Sequence, residues 1–321
     1  MGASLLSRRS FIAKTSGALV GLYGLDMSEA ALAFENESIE VPFSSGSDYP
    51  TFKVPANACD CHHHIYDSRF PIDPKAALRP PDATVADYRL LQKQLGTTRH
   101  VIVQPSTYGI DNRCLVEALK EFGLATTRGI AVVNSDVTDE QLAELHQAGV
   151  RGIRFNFSVP GEATSWNMIK GLSDRIEPLG WHIQVVAKAE QIFENRAVWP
   201  EIKCPIVFDH LGHIPSISHP AFGVLEELLK EGNTWIKLSG VYILSKVGAP
   251  SYSDRKEVFV SYVATAPERL VWGSDWPHPT SSLTNKPNDA NLLNLLFEWV
   301  PDEAVRNRIL VTNPEKLYGF S

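Results

Sequence analysis

Residues 57–66 read Asn-Ala-Cys-Asp-Cys-His-His-His-Ile-Tyr. In an extended strand, successive side chains point to opposite faces, so this stretch predicts that Asp60, His62 and His64 share one face. The opposite face then receives the other three side chains: Cys59, Cys61 and His63. Two buried imidazoles side by side require a partner, which can be a metal, a substrate oxygen or a carboxylate. The stretch therefore predicts a strand that ends in a functional site.

The composition is that of a large globular protein. Of the 321 residues, 44% are hydrophobic and 21% are charged, which is enough for an extensive core. The formal net charge is -7, and no run rich in Lys and Arg follows the first fifteen residues. We therefore expect a small molecule as the partner, and not nucleic acid or an anionic membrane surface.

The N-terminus has the pattern of an export signal. Residues 7–12 read Ser-Arg-Arg-Ser-Phe-Ile, a moderately apolar stretch follows over residues 13–25, and residues 31–33 (Ala-Leu-Ala) provide a small-residue cleavage site. We predict a twin-arginine signal peptide over residues 1–33, export to the periplasm by the twin-arginine machinery, and a linker over residues 34–56. The apolar stretch is too short for stable membrane insertion. The alternative is a cytosolic protein with a chance arginine pair.

The rest of the chain alternates between apolar strands and amphipathic helices. After the first strand, the pattern predicts seven further strands: residues 99–105, 127–133, 150–157, 182–187, 205–210, 234–239 and 270–275. A helix is predicted after each strand, two of them with capping boxes at Thr84/Asp87 and Thr138/Gln141. Eight such units favour a (β/α)8 TIM barrel, formed as one domain by residues 57–321, over an open doubly wound sheet.

The four cysteines do not have the spacing of a zinc finger, and Cys59 and Cys61 are too close on one strand to form an unstrained disulfide. We expect the two to pack as small apolar side chains.

Polar residues concentrate where the predicted strands end. In this type of barrel the C-terminal ends of the strands meet at one rim, and the chemistry takes place there. The residues at or just beyond these ends are His62, His64, Gln104, Ser106, Arg154, Asn156, Asp209, His210, Ser239, Tyr242, Asp275 and His278. We therefore expect the active site at this rim.

Three motifs together resemble the amidohydrolase superfamily. They are Asp-x-His-x-His at residues 60–64, Phe-Asp-His-Leu-Gly at 208–212 and Trp-Gly-Ser-Asp-Trp-Pro-His at 272–278. With Gly-Val-Arg-Gly-Ile-Arg-Phe-Asn at 149–156, the sequence is similar to the lactone-processing branch of that superfamily.

The resemblance implies a role for each matching residue. His62, His64 and His210 would surround the carbonyl oxygen of a lactone, and Asp275 would activate the attacking water. Arg154 would hold a substrate carboxylate, which suits its planar two-donor fork. Five other rim residues are predicted to bind substrate: Asn156, Gln104, Ser106, Tyr242 and His278. The implied function is hydrolysis of a small anionic lactone, such as a muconolactone or a pyrone carboxylate.

The resemblance leaves the metal open. A zinc ion would have His62, His64 and Asp275 as ligands, with His210 as a candidate fourth ligand, which is an open but thin set. Strand five supplies Gln184 where metal-binding members of the superfamily often have another ligand, and His182 falls at the opposite rim. Catalysis without metal is the alternative.

Other functions are also compatible with the sequence. A sugar-acid lactone isomerase would use the same pocket, and a zinc-dependent decarboxylase belongs to the same superfamily. The arginines that bind two carboxylates in the pyrone-dicarboxylate enzymes have no match after strands four and seven. A periplasmic solute-binding protein is the non-enzymatic alternative, but it would not need Asp275 beside three histidines.

Overall fold

The structure is a computed structural model that describes residues 40–158 and 163–320. The predicted export signal, residues 1–33, lies outside the described residues, as do the first six residues of the predicted linker. The described part of that linker packs along the C-terminal part of the chain: Trp276 Nε1 donates to the Pro42 carbonyl at 2.7 Å, and Phe52 stacks on Phe297 with ring centroids 5.0 Å apart.

Eight parallel strands form one sheet in the order of the sequence. They are β1 (Cys59–His63), β2 (Arg99–Val103), β3 (Thr127–Ala131), β4 (Val150–Asn156), β5 (His182–Val186), β6 (Ile206–Phe208), β7 (Thr234–Leu238) and β8 (Leu270–Trp272). The prediction of a (β/α)8 barrel is confirmed. The observed strands β2 to β8 end one to three residues before their predicted ends, so Asp209, His210 and Asp275 lie in the loops that follow.

The helices follow the strands as the hydrophobic pattern predicts. In the described residues they are α1 (Val85–Leu95), α2 (Arg113–Phe122), α3 (Asp139–Gln147), α4 (Ile169–Ile176), α5 (Ala189–Glu194), α6 (Pro220–Glu231), α7 (Val241–Leu244), α8 (Lys256–Thr265), α9 (Asp289–Trp299), α10 (Glu303–Asn307) and α11 (Asn313–Tyr318). Both predicted capping boxes are present, with the Thr84 and Thr138 hydroxyls accepting from the backbone N–H three residues later. None of these helices is long and apolar enough to cross a membrane.

The barrel has a separate inner layer of buried side chains. Six of the eight strands contribute to this layer, together with residues in and just after α11. Its members are Cys59, Cys61, Val101, Val103, Ile130, Val207, Trp235, Val271, Leu317, Tyr318 and Phe320. Alternate strand residues, such as Ile236 and Leu238 in β7, instead join the larger core beneath the helices. All four cysteines are buried and free, and Cys59 and Cys61 pack as expected.

Strand β1 departs from regular alternation. Its register with β2 shifts between Asp60 and His63, as at a β-bulge. Cys61 and His62 therefore both face the barrel interior, whereas Asp60 lies on the outer side and accepts from the Tyr88 hydroxyl at 3.0 Å. The prediction that Asp60 shares a face with His62 and His64 is wrong, because alternation holds only in a strand without a bulge. His63 does lie on the outer side, stacked on Tyr88 at 3.5 Å.

The residues after β8 pair with β1 and bring the two ends of the sheet together. Asp275 N donates to the His62 carbonyl at 2.7 Å, and His64 N donates to the Trp276 carbonyl at 2.8 Å. The two segments approach so closely that a Cβ at Gly273 would lie 2.6 Å from the Cβ of His62, so only glycine fits there. This closure places Asp275 beside the histidines of β1.

Candidate active site

The centre of the site is one oxygen of Asp275, which faces three imidazoles. Asp275 Oδ1 lies 3.4 Å from His62 Nε2, 3.4 Å from His64 Nε2 and 3.8 Å from His210 Nε2. The two histidines of β1 approach each other as well, with their Nε2 atoms 3.3 Å apart. All four residues are buried. The structure thus brings together the four residues predicted to be catalytic.

Each imidazole is held from behind through its other ring nitrogen. His64 Nδ1 lies 2.8 Å from the Val103 carbonyl, His210 Nδ1 lies 3.0 Å from Ser239 Oγ, and His62 Nδ1 lies 3.4 Å from Asp209 Oδ1. A carbonyl only accepts hydrogen bonds, so Nδ1 of His64 carries a proton in this contact. His62 Nδ1 lies between Asp209 and the Lys237 ammonium, whose Nζ is also 3.4 Å away. The Nε2 atoms of all three imidazoles are then directed at Asp275 Oδ1.

The second oxygen of Asp275 is bound by Tyr242, whose hydroxyl donates to Oδ2 at 2.6 Å. Asp275 has a positive φ of 66°, an unfavourable backbone conformation for a residue other than glycine. Tyr242, which was predicted to bind substrate, thus fixes the orientation of the carboxylate and leaves only Oδ1 facing the histidines.

Burial and neighbouring groups shift the pKa values of the carboxylate and of two imidazoles in the site. Burial alone raises the pKa of Asp275, but the charge of His210 and the hydrogen bond with His64 outweigh burial and hold this pKa below its ordinary value. Burial lowers the pKa of His62 well below the ordinary value, and it lowers the pKa of His210 as well. Asp275 is therefore ionised near neutral pH.

A buried polar network supports His62 from below, and it contains Lys237, which was not among the predicted site residues. Lys237 Nζ donates to Gln184 Oε1 at 2.7 Å and lies 3.5 Å from Asp209 Oδ1, and Gln184 Nε2 donates to Asp209 Oδ2 at 2.9 Å. Lys237 and Asp209 are fully buried. Burial raises the pKa of Asp209, but the charges of His62 and Lys237 hold this pKa well below its ordinary value. The two opposite charges thus stabilise each other.

The site opens into a small pocket of about 100 Å³ at the C-terminal rim of the barrel. Predicted residues in its lining are His64, Ser106, Arg154, Asn156, His210 and Asp275; Tyr66, Thr107, Ser158, His213 and Thr280 were not predicted. Arg154 is positioned by the same network, since its Nε lies 3.5 Å from Asp209 Oδ2. A larger groove lies between α2 and α3, but none of the predicted site residues lines it.

Tyr242, whose hydroxyl binds Asp275, does not line this pocket, and neither do two other predicted substrate ligands. The Gln104 amide donates to the Asp111 carbonyl at 2.8 Å, because Gln104 continues the alternation of β2 and points away from the interior that Val103 faces. The His278 ring pairs with buried Asp289 at 3.0 Å and contacts the edge of Tyr242. The structure therefore gives both side chains structural partners.

The atoms around Asp275 Oδ1 match the geometry of a zinc site. The Nε2 atoms of His62 and His64 form a nearly equilateral triangle with this oxygen, with sides of 3.3, 3.4 and 3.4 Å. Tetrahedral ligands at about 2.0–2.1 Å from zinc are about 3.3–3.4 Å apart. Ligand atoms of His62, His210 and Asp275 also all lie within 4.8 Å of one another. A carboxylate oxygen that faces three imidazole nitrogens would be stabilised by a cation, which a metal or a proton on an imidazole can supply.

A (β/α)8 barrel with histidines after β1 and β6 and an aspartate after β8 defines a class of barrel hydrolases that activate water at this rim. The family model for amidohydrolases matches residues 59–320. The chain belongs to the amidohydrolase family.

Similarity to characterised relatives extends over most of the chain. It is 32% identical over 283 residues to a 2-pyrone-4,6-dicarboxylate hydrolase of Comamonas testosteroni, covering 84% of this chain and 92% of the relative. It is 31% identical to a 4-sulfomuconolactone hydrolase of Hydrogenophaga intermedia (84% and 90%) and 32% identical to a D-galactarolactone isomerase of Agrobacterium fabrum (85% and 94%). An apo crystal structure from Agrobacterium tumefaciens superimposes with a TM-score of 0.80 at 30% identity, covering 87% of this chain and 99% of that one.

The buried network predicts an effect on stability. Replacing Lys237 by Met removes the fully buried cation beside Asp209 and leaves Arg154 as its remaining cationic neighbour, so we expect a loss of up to about 3–5 kcal/mol of the free energy of unfolding. Urea denaturation measures the loss. The matched control is Lys230→Met, which removes an exposed pair with Glu226 at 3.3 Å and changes the stability by about 0.5 kcal/mol or less. Equal stability of the two variants would show that Lys237 does not neutralise Asp209.

Proposed function

We propose that this protein hydrolyses small anionic lactones. The observation that supports this function best is the position of Asp275 Oδ1, an ionised base among three imidazoles at the floor of a pocket that also contains Arg154. Opening a lactone needs a base near the carbonyl carbon and positive charge where the oxyanion develops. Two of the relatives reported above are named as hydrolases of lactones.

The residues can divide the reaction between them. Arg154 binds a carboxylate of the substrate and thereby orients the ring over Asp275. Asp275 accepts a proton from a water molecule as the water oxygen bonds to the lactone carbonyl carbon. The bond between that carbon and the ring oxygen then breaks, and the proton returns from Asp275 to the ring oxygen. The product is an open-chain hydroxy acid.

Replacing the base provides the direct test. We expect Asp275→Asn to lower kcat by about 10²–10⁴-fold, because the amide cannot accept the proton. Titration of acid release from a lactone carboxylate measures the rate, and the thermal unfolding midpoint verifies that the variant is folded. Asp302→Asn, at the exposed N-cap of α10, is the control, since Asn also caps helices and full activity is expected. Retention of wild-type turnover in Asp275→Asn would refute the proposed mechanism.

We also propose that the site binds one zinc ion through His62, His64 and Asp275, with His210 close by. The triangle of ligand atoms supports this assignment, and the contact of His62 with Asp209 resembles the carboxylate–histidine pairs that orient metal ligands. A bound zinc ion would polarise the lactone carbonyl and lower the pKa of a coordinated water.

Metal analysis of the purified protein tests this assignment. We expect about one zinc per chain, and loss of most of it in His62→Ala and His64→Ala, because each removes one of only three or four ligands. His219→Asn, at the N-cap of α6, should keep the full content. A wild-type protein that is free of metal and fully active in the presence of a chelator would assign the required positive charge to protonated histidine instead.

Isomerisation of a sugar-acid lactone is the second candidate, because the D-galactarolactone isomerase is as similar as the hydrolases. An ionised Asp275 beside the imidazoles favours hydrolysis, because it can accept the proton of an attacking water. Proton NMR of the product separates the two reactions, since an isomerase returns a lactone and a hydrolase returns an open-chain acid. A zinc-dependent decarboxylase is less well supported, because the corresponding position on β5 is Gln184, whose amide is engaged by Lys237 and Asp209.

We propose further that the protein is exported to the periplasm by the twin-arginine machinery, from the sequence of residues 1–33. Replacing Arg8 and Arg9 by Lys should keep the protein in the cytoplasm, because this route reads the arginine pair. Cell fractionation measures the distribution. Lys14→Arg, which keeps the charge and leaves the pair intact, should be exported normally. Export of the double variant at the wild-type level would exclude this route.

A further inference from the structure

The pocket has one cation available to a substrate. Among its described lining residues, Arg154 is the one Lys or Arg. Two lysines nearby are already engaged. Lys237 is fully buried below the histidines and bonded to Gln184, and Lys286 Nζ donates to the carbonyls of Pro277, His278 and Ser281 at 2.9, 2.7 and 3.1 Å. The site therefore provides positive charge for one carboxylate.

The wall formed after β2 and β4 is a chain of neutral polar groups. Asn156 Nδ2 donates to Ser106 Oγ at 3.0 Å, and Ser158 Oγ donates to Asn156 Oδ1 at 2.7 Å. The Ser106 hydroxyl, having accepted a bond, still has its own hydrogen to donate. The Ser158 hydroxyl has used its hydrogen and presents oxygen lone pairs. This wall therefore offers both a donor and an acceptor.

Thr107 and His213 extend the neutral surface. The Thr107 hydroxyl donates to the Leu78 carbonyl at 3.0 Å, so its remaining capacity is to accept. His213 lines the same pocket and stacks on His210, and its Nε2 has no hydrogen-bond partner among the described residues. Neither side chain carries a fixed positive charge that would compensate a second carboxylate.

Carboxylates and hydroxyls make opposite demands on such a wall. An ionised carboxylate only accepts hydrogen bonds, and it would face the lone pairs of Ser158 and Thr107 without a cation. A substrate hydroxyl can donate to those oxygens and accept from Ser106 at the same time. From this pattern we propose that the substrate is the lactone of a sugar acid, with one free carboxylate on Arg154 and hydroxyl groups against the wall of Ser106, Asn156 and Ser158. The inference rests on the proposed lactone hydrolysis and specifies its substrate class.

Three compounds separate the two features of the proposed substrate. A galactarolactone has one free carboxylate and several hydroxyls, a galactonolactone has hydroxyls but no carboxylate, and 2-pyrone-4,6-dicarboxylate has two carboxylates and no hydroxyl. We expect kcat/KM for the galactarolactone to exceed each of the others by about tenfold or more, since a site built to bind hydroxyls discriminates against analogues that lack them. A higher value for the dicarboxylate, or an equal value for the galactonolactone, would overturn the inference.

Variants of the wall provide the second measurement. Ser158→Ala should lower kcat/KM for the galactarolactone about fivefold to tenfold through the loss of one hydrogen bond, and Ser158→Arg should raise kcat/KM for the dicarboxylate by supplying a second cation. Ser216→Ala, at an exposed hydroxyl bonded to Ser218, is the control that should change neither value. If Ser158→Arg lowers both values and Ser158→Ala changes neither, the wall does not select substrate and the inference is wrong.

The same assay distinguishes failure of this inference from failure of the proposed function. Opening of the dicarboxylate in preference to the galactarolactone would retain lactone hydrolysis and reject the substrate class. Conversion of the galactarolactone into another lactone, followed by NMR, would reject hydrolysis and support the substrate class. Absence of turnover of all three compounds by the metal-loaded wild-type protein would count against both.

Discussion

The site depends on the hydrogen bonds that the carboxylate of Asp60 accepts. It accepts from the backbone and the hydroxyl of Ser274 at 2.9 and 2.6 Å, from His62 N at 3.1 Å and from the Tyr88 hydroxyl at 3.0 Å. These bonds join the first strand, the segment after the last strand and the first helix. They reinforce the two backbone bonds between β1 and the segment after β8, and so help to hold Gly273 against His62 and to fix the distance between Asp275 and the histidines. A residue outside the pocket therefore determines the geometry inside it.

A second layer beneath the histidines serves the same purpose by electrostatic means. Asp209 contacts His62, Arg154 and Lys237. It therefore links His62, which we propose to lie beside the lactone carbonyl, to Arg154, which we propose to bind the substrate carboxylate. Buried charges are tolerated here because each has an opposite charge and hydrogen bonds. The orientation of the substrate and the orientation of the catalytic imidazole thus depend on the same carboxylate. A rigid relationship between the two is what attack on a single carbonyl carbon requires.

Much of the fold and the centre of the site could be predicted from the sequence, because both follow from periodic patterns. Arg154 and Asn156 were identified correctly as pocket residues since they are two apart on a regular strand. Asp60 was assigned to the wrong face, because a bulge in β1 cannot be recognised from residue types alone. Lys237 was overlooked, although it lies two residues after the inward-facing Trp235, and the alternation of a strand therefore places it on the inner face. Gln104 and His278 have local partners that depend on loop geometry, which the sequence pattern does not specify.

The pocket wall has a consequence for how members of this family can diverge. The residues that we propose to activate water lie in or after β1, β6 and β8, whereas the hydroxyl-bearing wall comes from the segments after β2 and β4. Strand-end loops can change without altering the barrel that supports them. A new ring could therefore be accepted by exchanging residues near Ser106 and Ser158 while the hydrolytic centre stays intact. Arg154 is the exception. It contacts Asp209, which also contacts His62, so a change of Arg154 would also affect the alignment of His62.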